Sequence, residues 1–252
     1  MLARVIDDLV AEEAALASLL ETLGPAQWDL PTPAPGWAVR DQVAHLAAAE
    51  DLATLAANDP AAFGARLAAL MSDLDAVESD NANHAGSHDP AELLAWWKAS
   101  SAATVAAIRD RGVRDRVAWI TGPMSVVSFA TARLMETWAH GHDVAEAVGV
   151  AVDPTARLRH IADLGVRTRG FSFRNRGLPV PEPEPRVDLV APDGGHWTWG
   201  PEDSTERVDG RALDFCLVVT QRREVADTEL EATGDGARAW LSIAQCFAGP
   251  PT

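Results

Sequence analysis

The chain has 252 residues, of which 47% are hydrophobic, and its 37 acidic and 21 basic side chains give a formal net charge of −16. That length suits one large domain or two medium ones, and so acidic a balance argues against nucleic-acid binding, whose affinity comes from Lys and Arg on phosphates. No apolar run approaches the roughly 20 residues that span a bilayer, and the acidic residues near the start (Asp7, Asp8, Glu12, Glu13) are wrong for a signal peptide, so a cytoplasmic protein that opens directly on a helix is expected.

Leu2, Val5, Ile6, Leu9, Leu16, Leu19, Leu20 and Leu23 recur at helical spacing, which predicts a first helix over 2–23 that stops at Gly24-Pro25. The prolines at 31, 33 and 35 hold 30–36 extended. A second helix is expected over about 39–57, with Asp59 capping a weaker one over 61–79. Residues 79–90 read as a polar loop. Asp89-Pro90 then opens a strong helix to about Asp110. Residues 117–123 read as a connection of extended character, and a last long helix is expected from about Ser125 to Val148. Four long amphipathic helices bury their apolar faces most simply as a bundle.

The pattern changes near residue 150, which divides the chain into a helical bundle over 1–150 and a second domain over 151–252. A helix is expected over 155–174. Beyond the Pro-rich connector 178–185, strands are expected over 186–191 and 196–200, joined by an Asp193-Gly194-Gly195 turn, and over 228–233. Helices are expected over 210–223 and from 236 to about 247. Helices mixed with short strands make this half a small α+β domain. Cys216 and Cys246 lie in apolar segments and read as buried, reduced thiols, with no Cys-rich metal motif.

Glu136 and His140 are four residues apart in a helical pattern and so share one face. His45 sits in the second helix. Brought together, the three offer two imidazoles and a carboxylate with a position left open, the ligand count of a catalytic metal site. The same spacing also suits a surface Glu–His pair and an unrelated His. Asp41, Glu50 and Asp143 are candidates for orienting a metal-bound His. His142, two positions from His140, cannot share that face, and His84 and His88 read as a solvated pair in the polar loop. Of the nine Trp, Trp138 should pack in the bundle and Trp37 should anchor the start of the second helix. Arg222 and Arg223 suit a helix C-terminus through its dipole, or could fork onto a carboxylate of a substrate or thiol. There is no nucleophile elbow and no Gly-rich phosphate loop.

The pattern Gly36-Trp-x-Val-Arg-Asp-Gln-Val-Ala-His45-Leu, with Glu136-x-x-x-His140-Gly-x-Asp143-x-Ala, resembles the mycothiol-dependent maleylpyruvate isomerase family within the DinB-like metal-binding bundles. The second half, through Asp214 to Arg223 and Ala239 to Pro251, is similar to the sterol-carrier-like or wyosine-base-formation modules of an actinobacterial subgroup. The resemblance implies an α+β protein: a DinB-like four-helix bundle followed by a small α+β domain. It implies a divalent metal, typically zinc, on His45, Glu136 and His140. It also implies that Arg222 or Arg223 assists binding of a small-molecule thiol such as mycothiol, which attacks an electrophilic substrate in thiol transfer or isomerisation. The alternative expectation is a non-catalytic metal-binding protein whose second domain carries an apolar ligand or docks a partner. No membrane or nucleic-acid partner is expected, and the protein should act as a monomer or homodimer.

Overall fold

The computed structural model describes residues 1–72 and 74–249, and of residues 74–80 only the backbone. The chain divides into two compact units, Met1–Val152 and Asp153–Thr252.

The first unit is built from α1 (Leu2–Leu20), α2 (Val39–Asn58), α3 (Pro60–Ser72), α4 (Leu74–Ser87), α5 (Pro90–Arg109) and α6 (Val126–Ala147). The helix starts follow their caps. Asp59 Oδ1 accepts from the Ala62 N–H ahead of α3. Asp89 and Glu92 form a reciprocal capping box with Pro90 at the first helical position of α5. Ser125 caps α6 by accepting from the Ser128 N–H. The four long helices form a ring in which α1 packs on α5 and α6, and α2 on α5 and α6. Ile6, Leu9, Val43, Leu46, Leu93, Ile108, Phe129 and Leu134 are fully buried inside it. Between α5 and α6, β1 (Arg116–Val117) and β2 (Met124–Ser125) pair antiparallel.

Two expectations for this unit change. The helix expected over 61–79 is two helices, α3 and α4, with residue 73 outside the described residues. The polar loop expected over 79–90 is the last two turns of α4 and a short link. Its composition gives little apolar periodicity, so local pattern misreads it. The helix is held from outside: Arg40 Nη1 donates to the Ala85 carbonyl at 3.1 Å, Asn81 Nδ2 donates to the Asp41 carbonyl at 3.3 Å, and Ala85 is buried against α2 and α5.

The second unit holds α7 (Leu158–Arg167), α8 (Arg169–Arg174), β3 (Arg186–Val190), β4 (His196–Trp199), β5 (Arg207–Arg211), α9 (Ala212–Val219), β6 (Glu231–Thr233) and α10 (Asp235–Leu241). The sheet order is β4-β3-β5-β6; β3 and β5 are parallel and the two outer pairs antiparallel. α9 lies against β3 and β5, and α7 packs on α9. Gly165 permits that second contact, because a Cβ there would come 2.9 Å from both methyls of Val219. The helix expected over 155–174 breaks at Thr168 into α7 and α8. The helix expected over 210–223 is shorter and follows a strand that the sequence reading passed over: Arg207-Val-Asp-Gly-Arg211 alternates too briefly to stand out. The final helix ends at Leu241, short of Phe247. Cys216 and Cys246 are buried and free of a disulfide, and burial, with Cys246 close by, pushes the Cys216 thiol up.

Among the described residues, no helix is long and apolar enough to cross a membrane.

Candidate metal centre

α2 and α6 bring His45, Glu136 and His140 together, with one ligand atom from each lying within 4.8 Å of the others. His140 Nε2 is 3.3 Å and His45 Nε2 4.0 Å from Glu136 Oε2. The two imidazole rings lie 4.7 Å apart between centroids. The cluster opens on one side: the His45 side chain is 37% exposed, against 12% for His140.

The orientation of His140 is set by residues the sequence reading did not single out. The 30–38 segment doubles back on itself, with Pro31 bridging Ala38 and Gly36 at φ +80° in a conformation that side chains rarely adopt. In this turn the Thr32 hydroxyl donates to the Trp37 carbonyl at 2.9 Å. Its oxygen then accepts from Gln42 Nε2 at 2.8 Å, which fixes which end of the Gln42 amide faces His140. Gln42 Oε1, only an acceptor, meets His140 Nδ1 at 2.5 Å. Nδ1 therefore carries a proton, and Nε2 faces Glu136 Oε2 at 3.3 Å, where it donates while protonated and would offer its lone pair to a metal ion once that proton is lost. That is the tautomer a metal-ligating imidazole needs, held by an acceptor on its other nitrogen. Gln42 stands three residues before His45 and so on the same helix face, which is the signal that could have found it. Of the sequence candidates for this role, Asp143 Oδ2 is 4.0 Å from His140 Nδ1, Asp41 instead accepts from the Ala38 N–H at the start of α2, and Glu50 faces Arg133.

Trp37 does more than anchor the helix start. Its ring lies 5.2 Å from the His45 ring and 6.1 Å from that of His140, stacked on the latter. Trp138 is buried in the bundle, as expected, and stacks on His142. His142 lies 4.0 Å from Glu146 and outside the three-residue cluster. His84 and His88 meet Trp96 at 5.3 and 5.7 Å.

Arg133 sits one helical turn before Glu136 and is almost wholly buried. It lies 3.9 Å from Glu136, 3.6 Å from Glu50, and over the Trp119 ring at 4.9 Å. Burial would raise the Glu136 carboxyl, but the His140 hydrogen bond, Arg133 and the two imidazoles outweigh it and hold the group well below the usual carboxylate range. Glu136 is thus an anion, as a ligand must be. Burial pushes Glu50 up despite Arg133. Two imidazole nitrogens and a charged carboxylate oxygen, converging on one point with an open side, suit a divalent ion such as zinc.

In the second unit, Arg222 and Arg223 follow α9 in a C-terminal turn where Gln221 takes φ +60° and the Arg222 N–H donates to the Leu217 carbonyl at 2.8 Å. Arg222 Nη1 donates to the Thr220 carbonyl and Arg223 Nη1 to the Arg222 carbonyl, each at 2.7 Å.

A helical bundle with an inward His–Glu–His cluster, followed by an α+β unit, defines the architecture. Residues 9–145 match the model of the mycothiol maleylpyruvate isomerase N-terminal domain, and the chain belongs to that family. Residues 184–233 match the model for wyosine base formation. Proteins from two strains of Mycobacterium tuberculosis, CDC 1551 / Oshkosh and H37Rv, each named only as an uncharacterized protein, are 43% identical over 246 residues, 98% of this chain and 96% of theirs. The crystal structure of a mycothiol-dependent maleylpyruvate isomerase superposes with a TM-score of 0.59 at 14% identity, covering 92% of both chains. A histidine-to-alanine mutant of that isomerase gives 0.58 at 15% identity, also over 92% of both chains. At such identities the likeness establishes the shared fold.

Proposed function

We propose that the protein is a metal-dependent enzyme that uses a low-molecular-weight thiol of the mycothiol type, in thiol transfer to a small electrophile or in its isomerisation. The observation that carries the reading is the His45–Glu136–His140 convergence, with His140 locked by Gln42 into the metal-binding tautomer. Membership of the isomerase family supports the thiol. A divalent ion on these three residues, with zinc the expectation, would lower the pKa of a bound thiol so that thiolate is present at neutral pH.

The chain's own residues do the rest. Gln42 holds the Nδ1 proton of His140, the His140 hydrogen bond and Arg133 keep Glu136 ionised, and Trp37 stacks on the His140 ring. In this reading Arg222 or Arg223 supplies the cation that recognises an acidic group of the thiol or substrate. In thiol transfer the thiolate sulfur would form a bond to an electrophilic carbon, either as that carbon's leaving group departs with its electron pair or as a conjugated double bond opens and its far carbon takes up a proton. In isomerisation it adds to a conjugated double bond, the resulting single bond rotates, and the sulfur leaves as the double bond re-forms. The expected setting is the cytoplasm, with the protein a monomer or homodimer.

The test is X-ray absorption at the metal edge of the purified protein, with and without mycothiol. A sulfur neighbour appearing at about 2.3 Å on thiol addition supports the proposal. Bound metal that takes up no sulfur points instead to a metal hydrolase or to a non-catalytic binding protein.

A further inference from the structure

Glu136 offers its two oxygens to different neighbours. Oε2 lies 3.3 Å from His140 Nε2 and 4.0 Å from His45 Nε2, while Oε1 faces Arg133 Nη2 at 3.9 Å. Arg133, Glu136 and His140 follow one another along α6 at spacings of one helical turn, so cation, carboxylate and imidazole share a single stripe.

The guanidinium is held in place independently of Glu136. Its Nη1 faces Glu50 at 3.6 Å, and its Cζ lies over the Trp119 ring at 4.9 Å. Trp119 reaches this position from the connection between β1 and β2. Its ring is wedged in turn by Phe63, stacked at 5.9 Å, and by Phe129, edge-on at 5.2 Å, one turn before Arg133 on α6. A rigid planar fork packed on an aromatic face and flanked by two carboxylates has little freedom to follow a partner that moves.

This restricts how Glu136 can meet an ion. Both oxygens of a carboxylate close on one cation only if the group turns until each faces it. For Glu136 that turn would carry Oε1 away from a guanidinium whose side chain is 3% exposed, and leave it against Glu50 alone. Under-compensating a buried charge is costly, which favours the divided arrangement.

We infer that Arg133 is a positioning residue of the metal centre: by engaging Oε1 it restricts Glu136 to one metal-ligating oxygen, Oε2, and so keeps a coordination position free for an incoming ligand. The inference rests on the metal reading of His45, Glu136 and His140 and supplies the reason the centre stays open. Two imidazole nitrogens and a single carboxylate oxygen make three protein ligands, the count of a catalytic site and not of a closed one.

The probe is cobalt(II), titrated into metal-free full-length protein, because its visible absorption reports coordination number where zinc is silent. Zinc affinity is read in parallel by competition with a chromophoric chelator. Wild type is expected to show the intense bands of four-coordinate cobalt, from three protein ligands and one water. In Arg133→Met, Oε1 is released to the ion, and those bands should give way to the weak absorption of a higher-coordinate centre. Zinc affinity should hold or rise in that variant, because a repelling charge has left, whereas general damage to the bundle would lower it. Arg133→Lys, which returns a cation, should restore the four-coordinate spectrum. Should Arg133→Met fold poorly, the Arg133→Met, Glu50→Gln double variant serves in its place. A four-coordinate spectrum in the Met variant, a wild-type centre already weakly absorbing, a Lys variant indistinguishable from Met, or zinc affinity that falls in step with helical circular dichroism would each overturn the inference. Wild-type protein that takes up no cobalt would remove the metal reading itself and this inference with it, so the two failures are told apart.

Discussion

Gln42 Oε1 lies 2.5 Å from Nδ1 of His140, across the α2–α6 seam. This one contact decides which ring nitrogen carries the proton, and therefore whether the imidazole can donate a lone pair on the side where Glu136 and His45 lie. Gln42→Leu keeps the volume and removes the acceptor. Metal affinity is expected to fall about 10–100-fold with the helical circular dichroism unchanged, read by competition with a chromophoric chelator. Retention of wild-type affinity would mean that His140 is oriented by something else.

His45→Ala and His140→Ala should each purify with much less than one equivalent of metal while the bundle still folds, because neither side chain belongs to the buried apolar core. Elemental analysis alongside circular dichroism is the check. Unchanged stoichiometry in both variants would remove the three-residue site.

Arg133 is a buried cation between two carboxylates. Removing it strands Glu50 and Glu136, so Arg133→Met should destabilise by about 3–5 kcal/mol. Pairing it with Glu50→Gln, which removes the buried carboxyl that Arg133 faces, should recover part of that loss. Urea denaturation of the two variants decides it, and a double variant no more stable than the single would contradict the account.

Glu13 makes stability depend on pH. Its carboxyl moves from an ordinary value of 4.5 to about 8 in the fold, so between those values the native state binds more protons than the unfolded chain. Stability contributed by the protonated group is therefore lost as pH rises through that window. Glu13→Gln, which cannot ionise, should flatten the fall of the thermal midpoint between pH 5 and pH 8. A slope identical to wild type would assign the proton elsewhere.

Gly165→Ala would press a methyl against Val219. A cost of about 1–3 kcal/mol is expected, with substantial recovery in the Gly165→Ala, Val219→Ala double variant, measured by the thermal midpoint of the full-length chain.

The bundle was legible wherever helices declare themselves locally. Asp89, Pro90 and Glu92 form a capping signal readable without a structure, and the Glu136–His140 spacing follows from helix geometry alone. The expected α+β character of the second half also stands, through 186–191 and 196–200. What escaped was held by distant contacts. α4 depends on Arg40 and Asn81 meeting it from α2 or reaching α2 from it, and no window of sequence contains both partners. β5 is five residues with a glycine, stabilised by β3 on one side and β6 on the other. Gln42 was passed over because an amide has no conspicuous chemistry of its own; its role appears only when His140, ninety-eight positions later in the chain, arrives beside it. Arg133 was passed over for a similar reason, since nothing near it in sequence marks a buried ion pair with Glu50.

The Thr32–Trp37 turn carries a consequence for how this chain tolerates change in length. Thr32, Trp37 and Gln42 are joined in series by hydrogen bonds that end on His140. The segment from Pro31 to Ala38 therefore works as a spacer of fixed gauge. One residue added or removed there would shift Trp37 off the histidine rings and pull Thr32 from the Gln42 amide in a single step, whereas surface loops of the same size elsewhere ordinarily absorb such an insertion at little cost. Insertions and deletions spread along this fold should thus be missing from those eight positions, although no residue within them is among the three that would hold the metal.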